Sequence, residues 1–220
     1  MKPALLLFDL DGTLSDPGEG ITKSVQYALL KMAIDETDLK KLEGFVGPPL
    51  QVSFAEHYSF SEQEVEKAVS YYRERFVEKG MFENKVYGGI PELLSGLKGE
   101  GYKLAVATSK PSVFAEEILG FFQIDRFFDF VAGSSLDGTG ASKTEIILSV
   151  MNHFQGVQKE EMVMIGDRKH DIIGAVNTGI GSIGVTYGYG SKDELEEARA
   201  DVIVTSVQEL RNLLVGKKGV

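Results

Sequence analysis

The sequence predicts an α/β fold, a doubly wound, Rossmann-like parallel sheet core interrupted by an inserted all-helical cap domain. Three observations carry that prediction. From about residue 88 onward, short unbroken apolar runs alternate with helical patterns. A further run of the same kind, Ala4 to Leu10, stands alone near the start of the chain. The long stretch between them shows helical periodicity throughout.

The runs are Leu104 to Ala107, Phe130 to Ala132, Met162 to Ile165, Ser182 to Val185 and Val202 to Val204. Strands buried on both faces of a helix-covered parallel sheet read in this way, without apolar–polar alternation. After Ala4 to Leu10 the next run begins only at Leu104, whereas a parallel crossover needs a dozen or more residues. The excess is the insert. Ile21, Val25, Ala28, Leu29 and Met32 follow helical spacing, as do Val65, Ala68, Val69, Tyr72 and Phe76. The second pattern opens with a capping box, Ser61-Glu62-Gln63-Glu64, and closes at Gly80. The expected domains are therefore 1–15 with 84–220 as the core and 16–83 as the cap. Their apolar stripes are read as bundle packing, Tyr71, Arg73 and Arg75 as solvated surface, and Lys217-Lys218 as a frayed tail.

Composition narrows the function. The chain has 220 residues, 43% of them hydrophobic, which suffices for a large core. A formal charge of −10 with no basic stripe argues against a nucleic-acid polymer as partner. No cysteine is present, so there is neither a disulfide framework nor a thiolate site. The apolar start is short and is cut by Asp9 and Asp11, unlike a signal peptide. Nothing approaches the roughly 20 apolar residues of a membrane helix. A cytoplasmic protein is the expectation.

Ligands of open α/β sheets bind at the carboxyl ends of strands, and several of those ends carry chemistry. After the first strand comes Asp9-Leu10-Asp11-Gly12-Thr13-Leu14. Two carboxylates one residue apart, with Gly12 to permit a tight turn, can share a divalent cation and divide nucleophilic and acid/base duties. Thr108-Ser109-Lys110 follows Leu104 to Ala107, just before a helix that Pro111 can open, where a hydroxyl suits a phosphate. Lys143 begins the helical pattern Ile146, Ile147, Val150; a cation there opposes the helix dipole, so an anionic partner is attractive. Gly166-Asp167-Arg168-Lys169-His170-Asp171 adds two further carboxylates as ligands for a hard cation. Each piece alone has a bland explanation, since Asp caps helices and Gly-Asp turns. Their succession at consecutive strand ends does not.

In that order the motifs resemble the haloacid dehalogenase superfamily, in its phosphoglycolate phosphatase-like branch with a helical cap. The resemblance implies that Asp9 is the nucleophile that forms an aspartyl phosphate and Asp11 the acid/base. It implies Mg²⁺ held by Asp9, the backbone carbonyl of Asp11 and Asp167, with Asp171 supporting from behind. It implies Thr108 and Lys143 on the phosphoryl oxygens, helped by the amides of Leu10 and Ser109. The family uses its cap as a lid; Phe45 to Leu50 and Tyr72 to Phe76 look like counterparts of cap segments, while Pro48 and Pro49 also suit a simple helix break.

Two departures concern the substrate: Arg168 stands where the branch often has Thr or Ser, and Asp16 is followed by Pro17-Gly18 rather than Ser and a helix. His170 is expected to be a loop histidine rather than a ligand, and His57 and His153 have no pattern that suggests chemistry. The implied substrate is a small phosphorylated metabolite, with phosphoglycolate phosphatase first and 5'-nucleotidase activity on nucleoside monophosphates second. Sugar phosphates, pyrophosphate and phosphotyrosine also suit the core motifs. A β-phosphoglucomutase-like phosphotransferase, a non-catalytic regulatory module and a phosphate-accepting receiver domain are the remaining alternatives. Dehalogenation is disfavoured because those enzymes use no metal and lack a carboxylate at the position of Asp11.

Overall fold

The computed structural model describes residues 3–216, so the Lys217-Lys218 tail lies outside the described residues. The chain divides into two compact units, Asp16–Lys85 and the sequence on either side of it. No helix among the described residues is long and apolar enough to cross a membrane.

The flanking unit is built on six strands: β1 (Leu5–Phe8), β4 (Lys103–Pro111), β5 (Phe130–Ser134), β6 (Met162–Gly166), β7 (Gly181–Val185) and β8 (Val202–Val204). Two short strands, β2 (Ser15–Asp16) and β3 (Lys85–Val86), mark where the chain leaves this unit and returns. The sheet order is β5-β4-β1-β6-β7-β8, with each adjacent pair parallel. The chain winds outward from β1 through β4 and β5, then recrosses β1 and winds the other way. That reversal makes β1 the switch point, and its register places Phe8 beside both Val106 and Ile165. The residues just beyond these three meet at one edge of the sheet.

Six helices follow the strands: α4 (Ile90–Gly99), α5 (Ser112–Phe121), α6 (Lys143–His153), α7 (Lys169–Thr178), α8 (Lys192–Glu197) and α9 (Val207–Val215). Successive strand residues face opposite ways. Leu5 and Leu7 therefore join Ala105, Ala107, Met162 and Met164 in a core with Ile146, Ile147 and Val150 of α6 and Ala175 of α7. Burial of each large aliphatic side chain contributes about 1.5–3 kcal/mol, which fixes α6 and α7, and with them the residues at their first turns.

The Asp16–Lys85 unit is helical, with α1 (Gly18–Lys31), α2 (Leu50–Tyr58), α3 (Glu62–Arg75), a 3-10 turn at Leu39–Phe45 and a π turn at Phe76–Gly80. Ile21, Val25, Ala28 and Leu29 of α1 and Val65, Ala68, Val69 and Tyr72 of α3 are the buried stripes expected from their spacing. Both the amide and the hydroxyl of Ser61 donate to Glu64, at 2.9 and 2.7 Å, completing the capping box. Tyr72 and Phe76 stack at 5.1 Å, and Arg75 pairs with Glu83 at 2.8 Å. Pro49 immediately precedes α2. His57 stacks on Phe45.

Local expectations change at three places. Strand β4 does not stop at Ala107 but runs to Pro111, with a register shift against β5 between those residues. Pro111 is consequently the residue before α5, and Thr108 lies within the strand end rather than beside a helix N-terminus. Pro17-Gly18 does not displace a helix, because α1 starts at Gly18, whose amide donates to Asp16 at 3.0 Å. His170 lies in the first turn of α7, not in a loop, because Asp171 accepts the Arg168 amide at 3.1 Å and starts the helix at Lys169.

Candidate active site

The edge of the sheet beyond β1, β4 and β6 collects Asp9, Asp11, Thr108, Lys143, Asp167 and Asp171, all buried. Asp9 follows β1, and the amide of Leu10 donates to its Oδ1 at 2.7 Å. Lys143, the first residue of α6, reaches Asp9 Oδ1 at 2.8 Å, Asp171 Oδ1 at 2.7 Å and the carbonyl of Ala107 at 2.8 Å. Burial alone would lower the Lys143 pKa, but Asp171 and Asp9 outweigh it and hold the ammonium above its usual value. The cation at this helix start thus has two anionic side chains to hold.

Asp167 follows β6. Its Oδ1 accepts from the Thr13 hydroxyl at 3.3 Å and its Oδ2 from the Tyr189 amide at 2.8 Å. Burial, then the charges of Asp171 and Asp9, push its carboxyl up to about 8. Burial likewise raises Asp171 against the opposing effect of Lys143.

Oxygens of Asp9, Asp167 and Asp171 lie within 4.8 Å of one another. Three buried carboxylates converging with one ammonium leave a deficit of positive charge, and hard oxygen donors are what Mg²⁺ takes. These residues fit the ion and could hold it. Both oxygens of Asp171 are already engaged, by Lys143 and by the Arg168 amide, which suits a supporting role.

Glycine permits this crowding. Gly12 has φ +81°, and a Cβ there would lie 2.2 Å from Asp167 Oδ2. A Cβ on Gly188 would lie 2.2 Å from the Gly12 carbonyl oxygen and 2.5 Å from Asp167 Oδ2.

On β4, the Thr108 hydroxyl accepts from the Lys110 amide at 3.3 Å. Ser109 spends its hydroxyl proton on the carbonyl of Ala141 at 2.9 Å, and its own carbonyl accepts from Ser134. Arg168 pairs with Glu194 at 2.9 Å and so belongs to the scaffold of α7 and α8. His170, held below its usual pKa by burial and by Arg168 and Lys169, is not a member of the carboxylate cluster. His153 stacks on Phe130 at 4.0 Å.

Sequence reasoning missed two contributors. Lys110 lies 2.8 Å from Asp11 Oδ2. The segment after β7 also closes on the site, with Tyr187 donating to the Thr13 carbonyl at 3.0 Å and the Tyr189 amide donating to Asp167. The alternating Gly188 and Gly190 behind a strand end were a readable sign of close backbone approach.

Buried paired carboxylates and a lysine at the switch point of a doubly wound sheet make a site that could hold a divalent cation and an anionic group. The haloacid dehalogenase-like hydrolase family model matches residues 6–185, and the chain belongs to that family. It is 50% identical over 209 residues to a 5'-nucleotidase of Pseudomonas aeruginosa, covering 95% of this chain and 94% of that one. It is 35% identical over 217 residues to the tyrosine-protein kinase PtkA of Mycobacterium tuberculosis, covering 97% of this chain and 73% of the relative. A solved structure of a predicted phosphatase from Clostridium acetobutylicum superposes with a TM-score of 0.95 at 50% identity, over 98% of this chain and 99% of that one.

Proposed function

We propose that this phosphatase works through an aspartyl-phosphate intermediate on Asp9, depends on Mg²⁺, and takes nucleoside 5'-monophosphates as its substrates. The observation that carries the mechanism is the Asp9 carboxylate, buried at the switch point and shared between the Leu10 amide and Lys143 within a cluster of acids. In the first half-reaction an Asp9 oxygen attacks phosphorus while the bond to the leaving oxygen breaks and that oxygen takes a proton from Asp11. In the second, Asp11 takes a proton from water, whose oxygen attacks phosphorus, and the electron pair of the broken bond returns to Asp9. Splitting hydrolysis in this way replaces one difficult step with two easier ones.

Lys143 and the Thr108 hydroxyl hold the phosphoryl oxygens, and a well-placed donor of this kind contributes roughly 3–4 kcal/mol to the transition state. Mg²⁺, when bound, neutralises charge between an anionic nucleophile and an anionic substrate. Burial raises the Asp11 pKa, and Lys110 opposes that rise, so the carboxyl is suited to carry a proton in one step and accept one in the next.

The substrate class rests on the half-identical relative named 5'-nucleotidase, which aligns over nearly the whole of both chains. The test is phosphate release from nucleoside 5'-monophosphates, phosphoglycolate, sugar phosphates, pyrophosphate and phosphotyrosine, with Mg²⁺ or with EDTA. Nucleoside monophosphates should turn over fastest and only with metal. A preference for phosphoglycolate overturns the substrate assignment, and full activity in EDTA overturns the metal dependence.

A further inference from the structure

Lys110, near the end of β4, makes an ion pair with Asp11. Its Nζ lies 2.8 Å from Asp11 Oδ2, with the two side chains 7% and 9% exposed. Asp11 Oδ1 is buried and has no hydrogen-bond partner among the described residues. The two oxygens of one carboxyl therefore differ sharply.

An ammonium donates only, so the oxygen it holds can only accept. With Oδ2 committed to Lys110, a proton carried by Asp11 resides on Oδ1. The lysine is itself held, because its amide donates to Thr108 Oγ1 and the neighbouring Ser109 is anchored to Ala141 and Ser134.

We infer that Lys110 is a positioning residue for Asp11, fixing Oδ2 as an acceptor so that Oδ1 delivers the proton to the leaving oxygen and removes it from water. This rests on Asp11 as the acid/base of the proposed mechanism. Lys110 neither gains nor loses a proton in either half-reaction.

A structural ion pair would slow all substrates alike, whereas a device for aiming the acid matters most when the leaving group needs a proton. The experiment measures first-turnover release of the leaving group from phenyl phosphate and from 4-nitrophenyl phosphate, with Mg²⁺ present, in wild type and Lys110→Met. Phenolate is the poorer leaving group. The variant should lose at least about 10-fold more rate on phenyl phosphate than on 4-nitrophenyl phosphate, as expected when general-acid assistance is impaired. In an Asp11→Asn background, Lys110→Met should add no further leaving-group dependence.

Equal losses on both substrates overturn the inference, as does an undiminished difference in the Asp11→Asn background. Lys110→Gln, which retains an amide donor for Oδ2, is assayed in the same way and should restore most of the lost rate on phenyl phosphate. If Lys110→Met does not fold, Lys110→Gln decides: a residual loss larger on phenyl phosphate than on 4-nitrophenyl phosphate supports positioning, and an equal change on both refutes it. Asp9→Asn separates the layers. First-turnover release that persists in that variant refutes the nucleophile, whereas its disappearance alongside equal losses for Lys110→Met refutes only the positioning role.

Discussion

Replacing Lys143 with Met tests how much of the site is held together by one charge. Met preserves most of the apolar stem and removes the ammonium that reaches Asp9, Asp171 and the carbonyl of Ala107, all within 2.8 Å. The side chains of this trio are at most 4% exposed, so solvent does not replace the lost contacts. Removing one partner of a buried ion pair costs about 3–5 kcal/mol, because the remaining charge stays buried. For a chain of this length each kcal/mol shifts the melting temperature by about 2–4 °C, so a decrease on the order of 10 °C is expected. The assay is denaturant and thermal unfolding of both proteins at neutral pH in EDTA. Because an uncompensated buried carboxyl takes up a proton instead of remaining charged, the deficit should shrink as the pH falls. Adding Asp171→Asn should recover part of the loss by removing one stranded charge. A loss below about 1 kcal/mol, or a double variant no more stable than the single, would show that Lys143 does not offset these buried charges.

Other perturbations isolate single features. Gly188→Ala forces a Cβ against the Gly12 carbonyl and Asp167, and should weaken Mg²⁺ binding by about 10- to 100-fold in calorimetric titration, the range for residues that orient metal ligands. An unchanged affinity would show that the approach of this segment is incidental. Asp11→Asn should lower turnover by about 10²–10⁴-fold, and an unchanged rate contradicts its acid/base role. Burial works to raise the Glu194 pKa, but the Lys169 amide and Arg168 outweigh it and depress the carboxyl below its ordinary 4.5. A depressed carboxylate stabilises the fold above its unfolded pKa, and that stabilisation is lost as pH falls through the folded value. Wild type should therefore lose its thermal-stability advantage over Glu194→Gln as pH drops below about 4.5, and a constant difference down to pH 3 would disprove the linkage.

The strands and the motifs behind them were legible because the physics is local. Leu5 to Phe8 and Met162 to Ile165 are apolar on both faces, as a covered parallel strand requires; Asp9 follows the first run directly and Asp167 follows the second after Gly166. Lys143 was legible because a cation at a helix start is unfavourable without an anion nearby. Lys110 escaped because the strand continues through Pro111, an extension set by pairing with β5 that the apolar pattern ending at Ala107 does not signal. Tyr187 to Gly190 escaped for a different reason. That segment acts through a backbone amide and a phenol, and no carboxylate or lysine lies within it.

In the proposed mechanism Asp9 carries the phosphoryl group. Acid quenching during turnover of 4-nitrophenyl phosphate with Mg²⁺, followed by peptide mass spectrometry, measures it directly. One added phosphoryl group is expected on the peptide containing Asp9, absent without Mg²⁺ and absent in a folded but inactive Asp9→Asn protein. Retained turnover in Asp9→Asn, or a phosphoryl group on another residue, would contradict it.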